Sequence, residues 1–274
     1  MRIDSHQHFW HYNAVKHSWI DDNMKMIRRD FLPEDLQPVL LQNKIDGCVA
    51  VQADQTENET NFLLQLANEN AFVKGIVGWV DLCAANIKDR LEYYAQYKVI
   101  KGFRHVLQGE VPAFMLQPSF LNGIAQLQQF NFTYDILVFP HQLKAVLELV
   151  KCFPHQRFVI DHIAKPYIKA GLIDEWKTAV QQIAVHENVY CKISGMVTEA
   201  DYSSWQKEDF IPYINVVVSL FGTKRIMFGS DWPVCLVAAS YKNMYNIVGD
   251  YFASFSQNEQ QLFFGKNAMD FYKL

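Results

Sequence analysis

Two histidines spaced i, i+2 close the run Ile3-Asp4-Ser5-His6-Gln7-His8 near the start of the chain. On a β-strand, residues two apart face the same way, so the imidazoles of His6 and His8 stand side by side at the strand's end. Such a pair suits a divalent ion, or a polarised carbonyl with its attacking water, better than it suits an apolar core. Other reactive side chains fall at the ends of later apolar runs. They are Gln52 and Asp54, then Arg104-His105, then Asp161-His162 with Lys165-Pro166 behind them. Lys192 with Ser194-Gly195, and Gly229-Ser230-Asp231-Trp232-Pro233, complete the series. Imidazoles, a carboxylate and a guanidinium recurring at the same point of successive runs form an acid, base and electrophile set.

The elements that must position these groups alternate. Short β-branched or aromatic runs cover 2–6, 47–52, 73–80, 100–105, 132–138, 158–162, 189–194 and 226–230, eight in all. Helical patterns lie between them, the first opening at Pro33, where proline is tolerated in a first turn. Phe62, Leu63, Leu66 and Ala67 follow at helical spacing, then Ile87, Leu91 and Tyr94, with further helical stretches at 120–130, 143–153, 176–186, 210–221 and 244–255. Cys48-Val49-Ala50-Val51 and Phe158-Val159-Ile160 are continuously apolar, as in parallel strands covered on both faces. Eight β-then-α units predict a (β/α)8 barrel forming one domain over 1–274. No Gly-rich phosphate turn follows the first run, which argues against an open dinucleotide-binding sheet. In a barrel the C-terminal strand ends share one rim, where the reactive residues fall.

The long first connection, 9–30, carries Trp10, His11 and Trp19 and is expected to fold over that rim as part of a substrate pocket. Trp10, Trp19 and Trp232 are candidates to stack on a substrate ring, and Gln52 to bond its polar groups. His141 opens a helix, while His155 and His186 lie near helix ends and read as structural. Glu199 and Asp201 read as a solvated cluster whose carboxylates can also meet substrate from above.

With 25 Lys plus Arg against 29 Asp plus Glu, the net charge is −4 and no basic run offers a nucleic-acid footprint. No apolar stretch reaches membrane-spanning length, and no charged-then-apolar leader is expected. The five cysteines are scattered without a C-x-x-C pair, which predicts reduced thiols, a cytoplasmic protein and neither a disulfide framework nor a structural zinc site. Oligomeric state is not legible in these residues.

Four segments together resemble the amidohydrolase superfamily, and within it the lactonase branch acting on fuconolactone, rhamnonolactone, sulfomuconolactone and pyrone dicarboxylate. They are His6-x-His8, Asp161-His162-Ile163-Ala164-Lys165-Pro166, Cys191-Lys192-Ile193-Ser194-Gly195 and Phe228-Gly229-Ser230-Asp231-Trp232-Pro233. Phe263 to Tyr272 is similar to the closing helix of these proteins. The resemblance implies a distorted barrel and hydrolysis of a cyclic ester, most directly a sugar aldonolactone. It implies catalytic roles for Asp231, His162, His6 and His8, with Asp231 as general base toward water. Arg104, Gln52, Lys192, Trp10 and Trp232 are then expected to meet substrate. Binuclear relatives bridge two metals through strand four and add a strand-five histidine. Arg104 cannot ligate a metal, and 132–138 carries no histidine, so the expectation is no metal, or one divalent ion such as zinc on His6, His8 and Asp231. A metal-dependent decarboxylase of the same superfamily, acting on an unsaturated or aromatic acid, is the alternative enzyme. A non-catalytic barrel that binds a sugar acid is the alternative outside catalysis.

Overall fold

A computed structural model describes residues 1–274. Eight strands pair in parallel, each with its sequence neighbours. They are β1 (Ile3–Gln7), β2 (Gly47–Val51), β3 (Val73–Gly78), β4 (Ile100–His105), β5 (Thr133–Ile136), β6 (Phe158–Ile160), β7 (Val189–Ile193) and β8 (Ile226–Phe228). Helices α1 (Pro33–Gln42), α2 (Glu57–Glu69), α3 (Ile87–Ala95), α4 (Pro118–Gln129), α5 (Leu143–Cys152), α6 (Asp174–Ala184), α7 (Lys207–Phe221) and α8 (Tyr241–Phe252) follow the strands in turn. Their apolar stripes bury against the sheet in one large core, the source of most of the folding free energy. This is the expected (β/α)8 barrel.

Two short helices follow, α9 (Gln257–Gln261) and α10 (Asn267–Tyr272). Phe271 and Tyr272 of α10 pack against Ile3, Val49, Val77, Val159 and Met227, so the last helix stoppers the end of the barrel where the strands begin.

The seam between β1 and β8 is stitched by residues of the reactive rim rather than by a regular ladder. Asp231 N–H donates to His6 C=O at 2.8 Å, and His8 N–H to Trp232 C=O at 2.7 Å. The Ser5 hydroxyl donates to Phe228 C=O at 2.6 Å. Gly229 sits where a Cβ would lie 2.7 Å from the His6 Cβ, so only glycine lets the two chains approach this closely. Closing the barrel therefore also brings Asp231 beside the paired histidines.

Strands six and eight stop two residues short of their expected ends. Beyond β6 the backbone of His162, Ile163, Ala164 and Lys165 turns left-handed, with φ of 53, 49, 60 and 48°, and Asp231 beyond β8 has φ 59°. Such conformations cost non-glycine residues on the order of 1 kcal/mol each and gather where a site needs side chains aimed unusually. The connection 9–30 folds over the rim as expected. It includes a short helical turn at Asp22–Ile27 capped by Asp21, and an isolated bridge between Trp10 and Phe31.

Candidate active site

At the centre of the rim, His6 and His8 adopt the shared orientation that their spacing predicts. His8 Nδ1 lies 2.8 Å from Val51 C=O, which only accepts, so Nδ1 carries the proton and Nε2 is a lone pair. His6 Nδ1 lies 3.2 Å from both Asp161 Oδ1, which only accepts, and the Lys192 ammonium, which only donates, while Arg104 Nη1 reaches His6 Nε2 at 3.4 Å. With its proton on Nδ1 toward Asp161, His6 also has its lone pair on Nε2; with Lys192 donating to Nδ1, Nε2–H instead donates to His8. These two Nε2 atoms face each other at 3.2 Å. In the first arrangement two lone pairs face each other, which a divalent cation between them relieves.

Asp231 Oδ1 completes the cluster, 3.4 Å from His8 Nε2, 3.9 Å from His6 Nε2 and 3.8 Å from His162 Nε2. Burial holds the imidazoles of His6 and His162 well below the ordinary histidine range, so both are neutral near pH 7. Neutral imidazoles and a carboxylate are the donor types of a catalytic zinc site. The cluster His6, His8 and Asp231 fits one divalent ion by both donor chemistry and proximity.

His162 is aimed by the left-handed turn that contains it, and its Nδ1 lies 2.9 Å from the Ser194 hydroxyl. Gly195, at φ 59°, leaves room for this ring, because a Cβ there would stand 2.4 Å from Nδ1.

A buried ionic layer supports the cluster. Lys192, with no exposed surface, donates to Asp135 Oδ2 at 2.5 Å and lies 3.0 Å from Asp161 Oδ1. Arg104 Nη1 reaches Asp161 Oδ2 at 3.0 Å, and its Nη2 reaches Gln52 C=O at 2.6 Å. Burial pushes the Asp161 carboxyl up, but Lys192, His6 and Arg104 outweigh it and hold the group well below the usual range. Asp161 is thus an ionised acceptor that orients the His6 ring. Burial raises Asp135 to about 6, with Lys192 working against the rise. The Tyr272 hydroxyl donates to Asp135 at 2.7 Å, tying the barrel's stopper to this ionic layer.

A cavity of about 360 Å³ opens above the cluster, lined at its floor by His8, Arg104, His162 and Asp231. Four expected substrate contacts are corrected by this geometry. Lys192 lies beneath the floor and cannot reach a ligand. Gln52 is fully buried behind Arg104, where its backbone and side-chain oxygens hold the guanidinium. Trp10 is 1% exposed, with its indole N–H donated to Arg29 C=O and its ring against Phe31. Trp232 packs its ring on Phe9 and Phe31, away from the cavity. The shared cause is burial of apolar rings and pairing of buried charge, neither of which spacing reveals. The tryptophan that lines the cavity is Trp19, joined by Met24 from the same connection.

Lys165, Thr198, Glu199, Tyr202 and Phe139 form the walls. Glu199 thus meets the cavity, whereas Asp201 pairs with Lys169 outside it, 3.0 Å apart. The signal for these wall residues was their place just beyond strand ends, but only the left-handed turn returns Lys165 over the rim. His105 faces Glu110 and Phe114, and His141 is exposed; neither lines the cavity.

Comparison with known proteins places this architecture. The chain is 38% identical over 286 aligned positions to an L-fucono-1,5-lactonase of Burkholderia multivorans, covering 100% of this chain and 96% of that protein. A second L-fucono-1,5-lactonase, from Burkholderia ambifaria, is 34% identical with the same coverage. A crystal structure of an amidohydrolase from Burkholderia multivorans with bound zinc superposes with a TM-score of 0.97 at 37% identity, covering 100% of this chain and 99% of that one. The amidohydrolase family model matches residues 3–274, and the chain belongs to that family.

Proposed function

We propose that this chain is a lactone-hydrolysing enzyme acting on a sugar lactone, with L-fucono-1,5-lactone as the first substrate to test. The curated relatives support the reaction class, since both named above are L-fucono-1,5-lactonases. The observation that carries the reading is Asp231 set among three imidazole Nε2 atoms on the floor of a sugar-sized cavity.

In the proposed reaction, the lactone carbonyl lies over the His6, His8 and His162 cluster. Asp231 Oδ1 accepts a proton from water as the water oxygen attacks the carbonyl carbon. Negative charge gathers on the carbonyl oxygen, and the Arg104 guanidinium beside it offsets that charge. The ring C–O bond then breaks, and the departing ring oxygen takes the proton that Asp231 had received. The product is the open hydroxy acid. Asp161 and Lys192 hold the His6 ring in place throughout, so the floor does not reorganise. His6, His8 and Asp231 would hold a single divalent ion, whose chemistry when bound is Lewis-acid polarisation of a carbonyl or water oxygen.

A panel of aldonolactones, followed by acid release with and without chelator, tests the reading. Asp231→Asn is expected to lower kcat by at least about a thousandfold, since an amide cannot take the proton. Near-normal turnover in that variant refutes the role of Asp231. Release of CO2 from an aromatic acid, with no lactone opened, overturns lactone hydrolysis in favour of decarboxylation.

A further inference from the structure

The walls of the cavity carry a charge pattern that the hydrolytic step does not use. Four charged residues line the space: Arg104, Lys165, Glu199 and Asp231. Arg104 is matched from below by Asp161. Lys165 is matched by Glu199, whose Oε1 accepts from its ammonium, and each side chain is 15% exposed. Neither cation is left unmatched for a ligand's carboxylate.

The Lys165–Glu199 pair is built rather than incidental. Lys165 ends four consecutive left-handed residues beginning at His162, so the turn that aims the catalytic ring also returns Lys165 over the cavity. Its ammonium lies 5.6 Å from the centre of the Phe139 ring, which restricts it from the other side. Glu199 ends the short helical turn Met196–Glu199 after β7, where the Thr198 hydroxyl anchors the backbone by donating to Gly195 C=O at 2.7 Å. Gln108 on the same lining has a buried side-chain oxygen without a hydrogen-bond partner, a neutral acceptor for a second hydroxyl.

Resting on the lactonase reading, we propose that the Lys165–Glu199 pair determines specificity, selecting neutral polyhydroxylated lactones against carboxylated ones. A ring hydroxyl between the two residues donates to Glu199 and accepts from Lys165, so both charged groups stay satisfied. A substrate carboxylate gains an ammonium only by displacing Glu199, and it meets that like charge in doing so. The same pattern favours departure of the product, because hydrolysis turns a neutral lactone into an anion beside Glu199.

The test uses the full chain, chelated in one series and zinc-loaded in another. The probes are an aldonolactone and the aldarolactone that differs from it by a terminal carboxylate. In Glu199→Gln the ammonium loses its match. The ratio of kcat/KM for aldarolactone over aldonolactone is expected to rise about tenfold or more, and inhibition by the aldonate product to tighten similarly. Lys165→Met is expected to raise KM for the aldonolactone about tenfold, with a smaller change in kcat and no gain toward the aldarolactone. Glu199→Asp keeps the charge and serves if the glutamine variant is unstable; it is expected to weaken the aldonolactone without gaining the aldarolactone. Ratios unchanged within about twofold in every folded variant overturn the proposal while leaving lactone hydrolysis standing. A wild-type protein that opens no lactone overturns the functional reading instead.

Discussion

Replacing Lys192 with methionine is expected to destabilise the protein by about 3–5 kcal/mol, the cost of removing one partner from a buried ionic group. The side chain has no exposed surface and holds two carboxylates, Asp135 at 2.5 Å and Asp161 at 3.0 Å. Methionine matches its length but offers no charge. Asp161 keeps Arg104 and His6, so most of the penalty falls on Asp135, whose remaining donor is the Tyr272 hydroxyl and whose Oδ1 is already unpartnered. At roughly 2–3 °C per kcal/mol for a chain of this size, Tm is expected to fall by about 10 °C. The penalty also acquires a pH dependence of definite sign. Burial already raises Asp135 to about 6 beside Lys192, and losing the ammonium raises it further. A carboxyl raised in the folded state contributes stability below its unfolded pKa and loses it as pH rises through the folded one. The variant is therefore expected to fall further behind wild type at pH 8 than at pH 6. Lys192→Met combined with Asp135→Asn removes both charges yet leaves Tyr272 an acceptor, and most of the loss is expected to return. Thermal and urea unfolding followed by circular dichroism measure all three chains. A single-variant loss below about 1 kcal/mol, or no recovery in the double variant, refutes the account of this layer.

The other expectations follow from neighbouring groups. Asp4 is fully buried, accepts from Ser230 N–H, His6 N–H and the Tyr241 hydroxyl, and is raised by burial to about 6. Its contribution to stability is present below its unfolded pKa and lost as pH rises through about 6. The stability of Asp4→Asn relative to wild type should therefore improve between pH 5 and pH 8 by about 1–2 kcal/mol, the part of the shift that lies above pH 5; a constant difference would contradict this. Gly195→Ala should press its methyl on His162 and cut kcat at least about tenfold. Gly171→Ala, at a similar φ but with open space around it, should cost only about 1 kcal/mol and leave kcat unchanged. Equal effects of the two alanines on kcat would remove the steric argument. Zinc should bind at one equivalent per chain and raise Tm, and His8→Ala should weaken both effects strongly, as isothermal titration with metal analysis can measure. Undiminished zinc binding in that variant would remove His8 from the ligand set.

The sequence by itself determined the barrel, because eight β-like runs, two of them continuously apolar, alternate with amphipathic stretches and no Gly-rich turn points to an open sheet. It also determined that His6 and His8 share a face, since the strand period of two is a local property. That Arg104, His162 and Asp231 share a rim followed from the barrel alone. Tertiary structure decided which polar residues look at the cavity and which hold those that do. Lys192 and Gln52 stand at strand ends like the others, yet the buried charge of Asp161 and Asp135, and the guanidinium of Arg104, draw them beneath the floor. Trp10 went into the core while Trp19 stayed at the rim, a choice made by packing against Phe31 rather than by any local pattern. Lys165 and Glu199, 34 residues apart, meet only because the backbone after β6 turns left-handed. Spacing reports the direction of a side chain on its own element, whereas desolvation and charge pairing depend on what other elements bring against it.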